Sequence, residues 1–162
     1  MKLKNIIYII VSALAVAAIA VLIIAEFAGK TGFISDSSFE EVSQKVIEAA
    51  DTDNMMQGDN QMIRRLYGLD PDDYDGVILY YSKTNMNAEE LIVIKLKDSS
   101  QEEDALAQVE ARLDTQLKSF EGYGAEQTAM LEASVIESRG GYILFISSDD
   151  TRAVKTAFEE AL

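Results

Sequence analysis

The chain has no cysteine, no histidine and no tryptophan, and a single proline in 162 residues. Without cysteine there is no disulfide, no thiol nucleophile and no residue to acylate as a lipoprotein, so an exported domain must be held by its core alone. Without histidine as well, Ser-His-Asp and Cys-His machinery, the usual zinc ligand sets, and His- or Cys-ligated haem or iron–sulfur centres are excluded. A phosphate loop is missing too: Gly29-Lys30-Thr31-Gly32 keeps the lysine–threonine order but lacks the upstream glycine. Positive charge is scarce, with 14 Lys and Arg against 28 Asp and Glu, a net charge of −14. That excess argues against nucleic acid, and against anionic lipid or wall polymer within a Debye length of about 8–10 Å.

What is present begins with residues 6–25, an unbroken apolar run without a charge. As a helix it would be about 30 Å long, the thickness of a bilayer's hydrocarbon core. Lys2 and Lys4 precede it and Glu26 follows, so the positive-inside bias places residues 1–5 in the cytoplasm and the rest outside. A cleaved signal peptide is the rival reading, but its apolar region is shorter and Glu26 spoils the cleavage site after Ala28. Residues 26–37 then form a tether, and residues 38–162 an extracytoplasmic domain. Lys2, Lys4, Lys30 and Glu26 give the first 30 residues +2, which leaves −16 on residues 31–162.

Beyond the tether, Ser37 and Glu40 have capping-box spacing, and Phe39, Val42 and Val46 recur on one helical face. A polar loop over 51–60 leads to a short helix, 61–67, and then to turn chemistry around the lone Pro71. The period next changes to that of strands, 77–81 and 91–96, joined as a hairpin. A long helix with Leu106, Val109, Leu113, Leu117 and Phe120 inward follows, then a short helical stretch over 125–131. A second hairpin, 134–137 and 142–147, turns at Arg139-Gly140-Gly141, and Asp149 or Asp150 caps a last helix. The expected fold is α+β: a transmembrane helix, two N-terminal helices, and a four-stranded antiparallel sheet built as ββαββα. Both later helices are expected on one sheet face. Because 91–94 and 142–146 are apolar on both faces, the N-terminal helices should cover the other.

Glu90-Leu91-Ile92-Val93-Ile94-Lys95, Arg112-Leu113-Asp114, Gln116, Phe120, Gly122-Tyr123, Gln127 and Gly141-Tyr142 together resemble a family of exported bacterial proteins common in Firmicutes. That family is known as the domain of unknown function 4358. The resemblance covers roughly residues 38–162 and implies a small domain behind a lipoprotein signal or a single membrane helix. It implies no activity and no site.

Two stretches hold candidate site residues. Asp70, Asp72, Asp73 and Asp75 have the oxygen ligands that calcium takes, though neither this loop nor 51–60 fits an EF-hand. The alternative is a solvated turn with aspartate as turn former. Arg112, Asp114, Gln116, Phe120 and Tyr123 form a candidate recognition edge where the long helix closes. The alternative is a helix C-cap with Gly122 left-handed and the aromatics closing the core. No catalytic residue and no cofactor other than that calcium is nominated. The function expected is a non-enzymatic, membrane-anchored module that binds or helps assemble something at the cell envelope. Its partners would be the bilayer, through Ile6 to Ala25, and an unidentified envelope protein or a second copy. The rivals are an enzyme using carboxylates or a divalent cation, and a structural protein self-associating through the apolar sheet face.

Overall fold

The structure, a computed structural model, describes residues 34–162 apart from Tyr123. The expected anchor at 6–25, the tip before it and residues 26–33 of the tether lie outside those residues. No described helix is long and apolar enough to cross a membrane. The compact unit runs from Ile34 to Leu162.

Helix α1 spans Phe39–Ala49 and opens on Ser38, whose hydroxyl accepts from the Glu41 amide at 3.1 Å. The cap is therefore one residue later than the Ser37 expected. The Ser37 hydroxyl instead donates to the Ala161 carbonyl at 2.7 Å. Strand β1, Met55–Gln57, is followed by α2, Asn60–Tyr67, capped by Asp59 and ended by Gly68. A 3₁₀ turn at Pro71–Asp73 leads into β2, Gly76–Ser82, and β3, Glu90–Lys95. Asp98 and Gln101 form a capping box before α3, Glu102–Phe120. Then come α4, Ala125–Glu132, β4, Val135–Arg139, β5, Tyr142–Ser147, and α5, Thr151–Ala161, capped by Asp150.

The sheet has five antiparallel strands in the order β1-β2-β3-β5-β4, not four. The extra strand, β1, lies in the stretch expected to be loop. Its side chains give no alternating signal over three residues; backbone pairing makes it, with the Gly58 amide on Leu79 and the Lys83 amide on the Asn54 carbonyl. Gly140 and Gly141, both with positive φ (61° and 80°), form the two-residue turn between β4 and β5, a backbone that L side chains resist.

Strands β3 and β5 are buried on both faces, so each face needs a helical layer. The layers are shared two and two. Leu91, Val93, Tyr142, Leu144 and Ile146 pack with Val42 and Val46 of α1 and Val154 and Phe158 of α5. Ile92, Ile94, Ile143 and Phe145 pack with Ile63 and Tyr67 of α2 and Ala105 and Val109 of α3. The expectation that the N-terminal helices together cover one face, with the two later helices on the other, is thus corrected. Each N-terminal helix joins one later helix. Helices thus lie over both faces of β3 and β5, as the doubly apolar strands required.

Residues 34–37 are fastened to the domain and do not behave as spacer. The Ser35 amide donates to the Gly140 carbonyl at 2.9 Å and its hydroxyl to the Leu162 carbonyl at 3.0 Å. The Ser37 carbonyl accepts from the Tyr142 hydroxyl at 2.7 Å and Lys95 Nζ at 3.1 Å. Such bonds satisfy carbonyls that the last turn of α5 would otherwise leave without partners.

Candidate functional site

Glu90 opens β3 and pairs with Tyr81 on one side and Ser147 on the other. Side-chain alternation turns it, with Ile92 and Ile94, toward α2 and α3. A carboxylate there is out of water, at 1% exposure, and must be compensated. The compensation comes from two helices. Tyr67, the last residue of α2, donates its hydroxyl to Glu90 Oε1 at 2.5 Å. Arg112 and Gln116, one turn apart on α3, supply the rest. Arg112 Nε reaches Oε1 at 2.9 Å and Arg112 Nη2 reaches Oε2 at 2.6 Å, the two-pronged geometry that favours arginine over lysine. Gln116 Nε2 donates to Oε2 at 2.5 Å.

Electrostatics follow from that packing. Burial, then the charge and hydrogen bond of Glu90, push the Tyr67 hydroxyl well above its usual value, so it stays a donor. Burial opposes the charge on Arg112, but its hydrogen bonds and charge contact with Glu90, and then Tyr67, hold it above its ordinary range. Four donors on two oxygens fill the roughly four acceptor positions of a carboxylate. The group is braced, with no lone pair left to take a proton from a substrate. Two buried atoms beside it lack a hydrogen-bond partner: Gln116 Oε1, and Oγ of Ser147, directly across the sheet from Glu90.

A second polar knot adjoins this one. The Ala88 amide donates to Gln127 Oε1 at 2.8 Å, linking the loop before β3 to α4. Ala88 is buried against Phe120 and Leu131. Glu89, at 8% exposure, accepts from Asn87 Nδ2 at 2.7 Å.

The candidate recognition edge divides in two. Arg112, Gln116 and Phe120 lie on the inward face of α3, and only Asp114 of the described members is exposed. Tyr123 lies outside the described residues. Gly122 has φ +85° and the Gly124 amide returns to the Phe120 carbonyl, which is the C-cap arrangement. Phe120, at 6% exposure, closes the core there. Arg112, Gln116 and Phe120 therefore face the interior, the arrangement of the alternative C-cap reading, while Asp114 faces solvent. Glu90, Tyr67 and Ser147 were not singled out from sequence. The available signal was the helical line Ala105, Val109, Arg112, Gln116, Phe120, which carries the buried face straight through two polar residues.

The acidic turn is not gathered into a ligand set. Asp70 accepts from Arg64 Nη2 at 2.6 Å and from the Asp72 amide, while Asp72 also meets Arg64, at 3.2 Å. The Arg64 hydrogen bond, and then the Asp72 amide, lower the Asp70 pKa. Among the described residues no group of three or more acidic, histidine or cysteine side chains is placed to hold a metal. Asp73 and Asp75 take part through the backbone: the Asp73 carbonyl accepts from Gln101 Nε2, and the Asp75 amide donates to the Lys95 carbonyl. This is turn chemistry.

No curated protein and no solved structure matches the chain. A family model does match, over residues 48–148, a span that takes in all five strands and includes Glu90, Arg112, Gln116 and Ser147. With most of its length matched, the chain belongs to the family described as Domain of unknown function (DUF4358).

Proposed function

We propose that the protein is a non-enzymatic module, tethered in a membrane by residues 6–25, that binds or helps assemble a component of the cell envelope. The single observation behind the non-enzymatic half is the saturation of Glu90. The most deeply buried carboxylate among the described residues is engaged at both oxygens by Tyr67, Arg112 and Gln116, as a structural brace would be. The uncharged length of residues 6–25 supports the tether, with residues 1–5 cytoplasmic and the domain outside. The acidity of residues 31–162 favours a protein or cationic partner over anionic polymer.

The test is crosslinking of the full-length tagged chain in its native membrane, with mass spectrometry of the adducts. One recurrent envelope protein is the expected result. Adducts only with itself would turn the reading toward self-association, and recovery in the soluble fraction after alkaline washing would remove the tether.

A further inference from the structure

Two consecutive glutamates are buried where the chain enters β3, and they are compensated differently. Glu90 receives four hydrogen bonds, two of them from the Arg112 guanidinium. Glu89, at 8% exposure, receives one, from the neutral Asn87 amide on Oε2. Among the described residues no lysine or arginine forms an ion pair with it. Lys83, the cation of its own loop, is committed to the Asp53 carbonyl at 2.6 Å. A carboxylate taken so far out of water without an opposite charge is unfavourable.

The oxygen left over is reachable. Among the described residues only Gln116 Oε1 and Ser147 Oγ are both sealed and unpartnered, so Glu89 Oε1, which has no partner either, opens to solvent. The loop that presents it is set in advance. The Glu89 amide donates to Asn87 Oδ1, the Ala88 amide to Gln127 Oε1 and the Met86 amide to Thr84 Oγ1. Met86, in the same loop, keeps 67% of its surface exposed, unusual here for a large apolar side chain.

We propose that Asn87 and Glu89 form a socket for one lysine side chain of a partner protein, with Met86 as its apolar rim. Arginine meets a carboxylate best with its two-pronged fork, as Arg112 does at Glu90. At Glu89 the Asn87 amide already fills Oε2, and the single oxygen that remains suits the point charge of an ammonium. One oxygen is far short of the six to eight that calcium takes. No group of three or more acidic side chains among the described residues is placed to supply the rest. A loop fixed beforehand loses little freedom on binding, and a methionine adapts to the apolar stem of a lysine. The acidity of the domain favours the approach of such a partner. The proposal deepens the tethered-module reading and rests on it, naming the chemistry at which the partner docks.

Carbodiimide coupling of the full-length chain in its native membrane tests the socket, because it joins a carboxylate to a lysine with no spacer. Mass spectrometry of the adducts should find Glu89 bonded to a lysine of another protein. Adducts with another protein at other carboxylates only would overturn the socket and leave the binding reading standing. No adduct with another protein would count against both. Glu89→Gln keeps an acceptor for Asn87, and lysine-to-lysine crosslinking to the same partner should fall about tenfold in that variant. Its melting temperature, measured on the purified full-length chain, should be no lower than that of the wild type, since the change removes an unpaired charge. A lower melting temperature, or undiminished crosslinking, would give the carboxylate a structural role and overturn the socket.

Discussion

The two faces of the sheet are built to the same plan and filled differently. Each is covered by one helix from before β2 and one from after β3 or β5. Toward α1 and α5 the buried layer is apolar side chains, with Tyr142 and Phe158 meeting edge to face at 6.5 Å. Toward α2 and α3 the same number of layers encloses an ion pair, a phenol and an amide at one end. Apolar contacts tolerate sliding and repacking, whereas a bidentate pair and two further hydrogen bonds have one geometry. The difference teaches that one face supplies cohesion and the other fixes alignment: Glu90 determines where α2 and α3 sit along the strands.

The sharpest way to break that contrast is Arg112→Ala. It strands the Glu90 carboxylate in the core and should lower stability by about 3–5 kcal/mol in a urea titration. Replacing the pair together, Glu90→Leu with Arg112→Met, should recover most of that loss. If the double variant is as unstable as the single one, the pair is a source of stability and not of alignment. On the opposite face, Leu144→Ala should cost about 2–5 kcal/mol by leaving a cavity, with no partner substitution able to rescue it through charge.

A smaller effect separates the faces by pH. The Tyr67 pKa is raised in the fold, so its contribution is intact below the unfolded value, near 10, and declines as pH climbs toward the folded value. Alkaline titration of stability should therefore fall more steeply in the wild type than in Tyr67→Phe, by up to about 1.4 kcal/mol per pH unit. Parallel slopes would mean that Tyr67 is not the group responsible. The smallest effect belongs to an exposed arginine pair. Arg64 and Asp70 keep 43% and 48% of their side-chain surface, so Arg64→Ala should leave the midpoint within error. A loss matching that of Arg112→Ala would erase the distinction between buried and solvated pairs.

Much of the architecture was readable because periodicity reports burial. The apolar runs of β3 and β5 announced a sheet covered on both sides, and of the two caps expected for the last helix, Asp149 or Asp150, the second is the one found. The partition of helices between faces was not readable, since an amphipathic helix shows that it packs and not on which side. The site was legible only as composition. Polar residues on a helix are normally solvated, so Arg112 and Gln116 read as an outward edge, while Glu90 read as the end of the polar loop before a strand. Their meaning depends on Tyr67, 23 residues before Glu90, and on a tertiary contact that no local pattern encodes.

The fastening of residues 34–37 has a consequence in time. Ser35 and Ser37 bind carbonyls that lie 127 and 124 positions later in the chain. Closing so long a loop comes late in folding, after the local hairpins and helices have formed. During synthesis, the stretch leading into the domain must therefore wait, unfastened, until α5 exists. A chain truncated before Thr151 lacks the Leu162 and Ala161 carbonyls that the Ser35 and Ser37 hydroxyls reach, so its Ser35 amide, bonded to the Gly140 carbonyl, should exchange faster than in the full chain. The last helix would then act as the clasp that turns a string of early structures into one closed body.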